Sequence, residues 1–395
     1  MAGLHIDLLR HALVLVLCGS YLVGSTFLIL MFVPPFALFG WVFLPIVVGS
    51  VLVCAYSIAW IVYLYKGQTD RPFNLPYNPK RIFKINYAFF SMLWTSIIMF
   101  VPLFAEYGED IYYGSSSNSN RLDVYIPDTS KYPQIFDAAF HPVIVFIQGG
   151  SWGSGDKIWY SLLALRLRQM GYVVVVPNFS LYPKAKIDVM LSDIKRSLVW
   201  TKRFISKFGG DPNKIYIMAL TLVPLLQFVI QLLNPKLWRE DYHVPLGSET
   251  HSSTDTFIVR MAGVYDIGRH YLWETKRGVE EVSPMGRVMG DTPETFEMNS
   301  PALLLQSAMK DREVDINRLK KLIPQKILLI HGDMLNLVLS DLNIEDLRLR
   351  IMTGMDHSDP VVGLMYSPFR NRFTPQLTSE LGNFMLQDDH EFEEY

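Results

Sequence analysis

The stretch Val143-Ile144-Val145-Phe146-Ile147-Gln148-Gly149-Gly150-Ser151-Trp152-Gly153-Ser154-Gly155 decides the fold. Five consecutive large apolar residues, rich in β-branched side chains, predict a strand buried on both faces. The run ends abruptly in glycines and serines, so the chain turns sharply at the strand's carboxyl end. Working outward, the same pattern recurs. Strands are expected at Leu122–Ile126, Tyr172–Val176, Lys214–Met218, Phe257–Val264, Lys326–Ile330 and Leu347–Met352. Helical periodicity falls between them, at Ile158–Met170, about Ile187–Phe208 (stopped by Gly209-Gly210), Leu222–Leu233 and about Pro375–Leu386. Short buried strands alternating with amphipathic helices predict an α/β domain, with a mostly parallel sheet covered on both faces.

Upstream the composition changes. The chain has 395 residues, of which 19% are charged and half are hydrophobic. Residues 1–105 hold only eight charged side chains: Asp7, Arg10, Lys66, Asp70, Arg71, Lys80, Arg81 and Lys84. Three runs there approach or exceed the ~20 apolar residues that a bilayer core demands, at Ala12–Val33, Trp41–Leu64 and Ile85–Ala105. The expected organisation is a membrane block over 1–105 with about three transmembrane helices, a linker over 106–120, the α/β domain over 121–387 and an acidic tail over 388–395. Two spans plus one interfacial helix is the alternative. Lys66, Arg71, Lys80, Arg81 and Lys84 place the 66–84 loop in the cytosol by the positive-inside rule. Three spans then put the α/β domain in the lumen, and two put it in the cytosol. The lumenal arrangement, in endoplasmic reticulum or Golgi membranes, is the expectation from three spans.

A net charge of −2 gives no nucleic-acid footprint, and no nucleic-acid partner is expected. Both cysteines, Cys18 and Cys54, lie in the apolar block, so the α/β domain has no disulfide and no thiolate metal site. No metal or other cofactor is expected. The expected partner is the lipid bilayer. The sequence leaves the oligomeric state open.

In sheets of this kind, chemistry collects at the carboxyl ends of the strands. The informative ends are Gln148 to Trp152, Met218 onward, His331-Gly332-Asp333 and Gly354-Met355-Asp356-His357-Ser358-Asp359-Pro360. With Gly209-Gly210-Asp211-Pro212, Ala262-Gly263-Val264-Tyr265-Asp266-Ile267, Arg277-Gly278-Val279-Glu280 and Asn299-Ser300-Pro301, they resemble the α/β-hydrolase superfamily. Within it, they resemble esterases of the carboxylesterase/hormone-sensitive-lipase type, and among these the isoprenylcysteine methylesterase-like group. The resemblance covers about residues 120–370.

It implies acyl transfer by a Ser–His–acid triad, with an oxyanion held by main-chain N–H groups. It makes Gly149, Gly150 and Ser151 the oxyanion loop and His357 the base position. It implies an apolar ester ligand, such as an isoprenylcysteine methyl ester or another lipid-like ester. Trp152, Trp159, Trp273 and the Met285–Met298 stretch could line its pocket or cap, or could simply pack the core.

The chain departs from the pattern in two places. Where the family has Gly-x-Ser-x-Gly, it reads Met218-Ala219-Leu220-Thr221-Leu222-Val223-Pro224, so either Thr221 replaces the nucleophile or the elbow is missing. A β-branched Thr between leucines suits that strained turn poorly. Leu335 stands at the acid position, leaving Asp333 as the nearest carboxylate and Asp266 as the other. Ser151 and Ser154 lie on the oxyanion loop and not on an elbow. The readings are a catalytically impaired esterase relative, a membrane-tethered binding or scaffold protein, or an in-frame loss of both loops by splicing or intron misassignment from an active esterase. Asn178-Phe179-Ser180 is a glycosylation sequon beside a core strand, where use is disfavoured.

Overall fold

The structure is a computed structural model that describes residues 2–66, 75–100, 109–114, 120–127, 140–220, 257–310, 326–330, 346–353, 355, 359–365 and 372–385. The chain divides into two compact units. One comprises residues 1–97 with 271–284, and the other residues 98–270 with 285–395.

The first unit contains α1 (Ala2–Leu30), α2 (Gly40–Lys66) and the first nineteen residues of α3 (Pro79–Phe100). Among the described residues, two helical stretches are long and apolar enough to cross a bilayer, Ile6–Leu30 and Phe36–Lys66. They form an antiparallel hairpin. Leu13 packs with Leu64, Cys54 Sγ lies 3.9 Å from the Leu17 carbonyl, and the Phe27 and Phe43 rings meet edge-on at 5.3 Å. Gly24 permits the close approach, since a Cβ there would fall 2.8 Å from that of Ser50. Pro34-Pro35 lies in the turn between the two helices, as the sequence predicts.

The second unit is built on an eight-stranded sheet of order β1-β2-β4-β3-β5-β6-β7-β8. The strands are β1 (Glu109–Tyr112), β2 (Arg121–Tyr125), β3 (His141–Ile147), β4 (Val173–Pro177), β5 (Gly210–Leu220), β6 (Phe257–Met261), β7 (Lys326–Ile330) and β8 (Asp346–Arg350). The pairs β1–β2 and β2–β4 are antiparallel; every other pair is parallel. This mixed, mostly parallel sheet is the α/β-hydrolase architecture. The side chains of Val143 to Phe146 and Val173 to Val176 are wholly buried, as expected for strands covered on both faces. Helix α4 (Ser161–Gln169) follows β3, and α5 (Ile187–Phe204) follows β4. After a single 3₁₀ turn, α5 stops at Gly209, whose φ is +75°.

Several expected boundaries change, and β8 covers Asp346–Arg350 and not Leu347–Met352. Residues 109–112, inside the expected linker, form the edge strand β1, and Arg121 and Asp110 join it to β2 by an ion pair. Strand β5 is longer than Lys214–Met218, and β3 slips register against it between His141 and Val143. Strand β6 stops at Met261 and not at Val264, because Ala262 turns the chain with φ +47°. The expected helix Leu222–Leu233 lies outside the described residues.

Helix α6 (Ile267–Arg277) begins in the second unit and ends in the first. Its Glu274 is 7% exposed and accepts a hydrogen bond from Ser283 Oγ at 2.8 Å. Burial pushes this carboxyl up to about 7, against the pull of Ser283 and Arg277. A carboxyl whose folded pKa lies above its unfolded value contributes stability below the unfolded value, and loses it as pH rises through the folded one. The 271–284 segment should therefore loosen between about pH 5 and pH 8. Glu274→Gln should remove this dependence and raise stability at pH 8 by on the order of 2 kcal/mol. Thermal unfolding of the detergent-solubilised chain at pH 5 and pH 8 measures both effects.

Candidate functional site

The site begins where β3 ends. Parallel pairing aligns Ile147 with Ala219 of β5, so both strands reach the same edge of the sheet together. Gly149 then crosses the end of β5. A Cβ on Gly149 would lie 3.1 Å from both the carbonyl oxygen and a methyl of Leu220, so only glycine passes without displacing the strand end. Gly150 has φ +138°, and a Cβ there would sit 1.9 Å from the Ser154 carbonyl. Ser151 and Trp152 continue the left-handed turn with φ +48° and +61°.

The loop is held from inside. The Gly150 carbonyl accepts from Gly153 N at 3.2 Å, Ser154 N at 3.0 Å and Ser154 Oγ at 2.9 Å. The Gly149 carbonyl accepts from the buried Tyr160 hydroxyl at 3.2 Å. Burial raises the Tyr160 pKa well above its ordinary value, so the phenol stays protonated and donating.

A second layer supports the first. Asp156 caps the turn at Ile158 N (3.0 Å) and accepts from Asn178 Nδ2 (3.0 Å). Asn178 Oδ1 accepts from Lys157 N (2.7 Å) and Gln148 Nε2 (3.1 Å). The Asn178 amide is thus engaged on both sides, which fits the expectation that the sequon is not used. Lys157 reaches over to pair with Asp110 at 3.0 Å and with buried Asp123. Burial raises the Asp123 carboxyl against the pull of Lys157.

Among the described residues, the main-chain N–H groups of Gly150 and Ser151 have no acceptor. Two fixed donors at a strand end are what an oxyanion requires, because they need no reorganisation as negative charge develops on the carbonyl oxygen.

The chain matches the family model described as BD-FAE over residues 122–322, just over half its length. The chain belongs to the BD-FAE family. A probable isoprenylcysteine α-carbonyl methylesterase of Arabidopsis thaliana is 41% identical over 109 residues, covering 28% of this BD-FAE chain and 24% of that protein. An esterase of Mycobacterium tuberculosis is 29% identical over 115 residues, covering 29% of this chain and 26% of that one. These alignments span about a quarter of the relatives' length. The crystal structure of esterase B from Lactobacillus rhamnosis superimposes with a TM-score of 0.55 at 14% identity, covering 78% of this chain and 96% of that one. That likeness concerns the fold.

Thr221, Asp333 and His357 lie outside the described residues. Gly149, Gly150 and Ser151 form a tight turn at the end of β3. Ser154 spends its hydroxyl on the Gly150 carbonyl. Asp266 Oδ1 accepts from Arg269 N at 2.9 Å, a cap on the first turn of α6. The residues suggested for an apolar lining are dispersed. Trp152 is 3% exposed, Trp159 packs against the main core, and Met285 and Met289 are buried. Trp273 is half exposed with Arg277 over its ring, and Met298 is exposed. Sequence reasoning missed Tyr160 and took Asn178 only as part of a sequon. Their only sequence signal is a polar group beside an apolar strand, which becomes readable once β3 and β4 are known to be neighbours.

Gly150→Ala combines a forbidden backbone conformation with a clash and should cost more than about 3 kcal/mol. Tyr160→Phe removes one hydrogen bond and should cost about 1 kcal/mol. Denaturant unfolding of the two variants gives the comparison, and equal losses would mean that the loop is not held as described.

Proposed function

We propose that this chain is a membrane-anchored relative of serine carboxylic-ester hydrolases that keeps the fold and the oxyanion loop and is catalytically impaired. The reading takes α1 and α2 as spans in an endomembrane. It takes an apolar ester, of the prenylcysteine methyl ester or lipid-ester kind, as the ligand.

One observation carries the impairment. Gly149 packs on Leu220, the last residue of β5, so an elbow nucleophile facing the oxyanion loop has to come from the residues directly after Leu220. Those residues are Thr221-Leu222-Val223-Pro224, and the next serine in the chain is Ser248. No cysteine follows Cys54. Thr221 therefore supplies the one hydroxyl at the strand end, and a β-branched residue tolerates that backbone turn poorly. Asp333 and Asp266 give the acid position no better support, because Leu335 stands there and Asp266 is engaged as a cap. Loss of a nucleophile alone typically lowers turnover by several orders of magnitude.

Hydrolysis of p-nitrophenyl butyrate by the purified chain should not exceed that of a His357→Ala control. Turnover at least 100-fold above the control would show a working triad and refute the impairment. Transcript reads across Met218–Ala219 and Met334–Asp341 test the splicing alternative, and reads that restore Gly-x-Ser-x-Gly would assign the loss to this form of the chain.

A further inference from the structure

We infer that the hydrolase domain lies on the same, cytosolic side of the bilayer as the 66–84 loop, with α3 held at the membrane surface and not carrying the chain across. The inference rests on the reading of α1 and α2 as spans.

The argument starts within the first unit. Residues 271–284 pack against the start of α3 and the end of α2. Arg81 of α3 is bracketed by Glu280 at 3.1 Å and Glu281 at 2.7 Å. Lys84 Nζ donates to the Lys276 carbonyl at 2.7 Å. Gly278, with φ +69°, brings the backbone so close that a Cβ would lie 3.3 Å from the Lys84 side chain. Val282 joins the apolar cluster of Ala59, Val62, Ile82 and Ile85. Two ion pairs, a hydrogen bond and a partly buried valine seat the segment at one end of the α1–α2 hairpin. That end carries Lys66, Lys80, Arg81 and Lys84, and Arg10 reaches it too, donating to the Leu64 carbonyl at 2.5 Å.

Covalent connectivity does the rest. The chain enters this segment from His270 and leaves it to Met285, both in the sheet-bearing unit. A fourteen-residue segment with Lys276, Arg277, Glu274, Glu280 and Glu281 cannot thread the bilayer twice. The sheet-bearing unit is therefore on the side where the segment sits. If α3 crossed the membrane, β1, only nine residues beyond Phe100, would have to start on the opposite side. Both cannot hold.

The surface of α3 agrees. Ile82 and Ile85 are buried against α2, and Asn86 Nδ2 donates to the Ala55 carbonyl at 2.8 Å. Phe83, Tyr87, Phe90 and Leu93 form a separate stripe at helical spacing, 41–71% exposed. An exposed apolar stripe flanked by lysines matches a helix lying in the lipid interface. The opposite end of the hairpin, residues 31–39, has no charged residue, so the positive-inside bias assigns the basic end to the cytosol. The two-span alternative replaces the three-span, lumenal arrangement, and the ligand would be one presented at the cytosolic face.

Single-cysteine variants test this in the full-length chain carrying Cys18→Ser and Cys54→Ala. Tyr77→Cys, Ser206→Cys and Leu38→Cys, all exposed positions, are treated with a membrane-impermeant maleimide in sealed microsomes. Labelling of Tyr77→Cys and Ser206→Cys, with Leu38→Cys reacting only after permeabilisation, is the expected result. Protection of Ser206→Cys while Tyr77→Cys reacts overturns the inference and leaves the anchoring intact. Protection of both, with Leu38→Cys reacting, overturns the cytosolic assignment. Release of the chain by alkaline carbonate overturns the anchoring reading, and the inference with it.

Discussion

The parallel pairing of β3 with β5 is the constraint on which the rest of the hydrolase domain depends. It aligns Ile147 with Ala219, so the Gly149-Gly150 turn and Leu220 meet at one edge of the sheet. Everything around the turn serves that meeting. Tyr160, Ser154 and the Asp156–Asn178–Gln148 chain of hydrogen bonds satisfy the carbonyls and amides that the sharp turn would otherwise leave buried and unpaired. The result is a rigid pair of N–H donors beside a strand end that offers a threonine and then leucine, valine and proline. On the proposed reading, this turn is the binding half of an acyl-transfer site that has no well-placed nucleophile.

The sheet was legible because its strands are buried on both faces. Val143–Ile147 and Val173–Val176 are continuous β-branched runs that no soluble helix of that length would require. The Gly-Gly turn was legible for a different reason, since the φ of +138° at Gly150 favours glycine. Strand β1 was not, because Glu109-Asp110-Ile111-Tyr112 is polar and sits at an edge, where pairing and not burial defines the strand. Trp152, Met285 and Met289 are buried, and the sequence left their role open between core and pocket lining. Tryptophan and methionine fill cores and pockets by the same physics, and sequence spacing does not separate the two. The second layer of hydrogen bonds joins residues 30 apart in sequence, as between Gln148 and Asn178, and becomes visible only with the neighbouring strands in place.

Hydropathy finds three apolar runs. It does not show that residues 271–284 pack against α3, through the Arg81 ion pairs and the Lys84 hydrogen bond. Buried Glu274 lies within that docking segment, so proton uptake bears on how firmly the segment is held.

The central claim is that a hydrolase fold with an intact oxyanion loop lacks an activated nucleophile. A fluorophosphonate probe, with the modified residue mapped by mass spectrometry, measures this most directly, because phosphonylation requires an activated hydroxyl and no particular substrate. The account predicts no labelling above a heat-denatured control. Stoichiometric labelling at Thr221, Ser151 or Ser154 would contradict it.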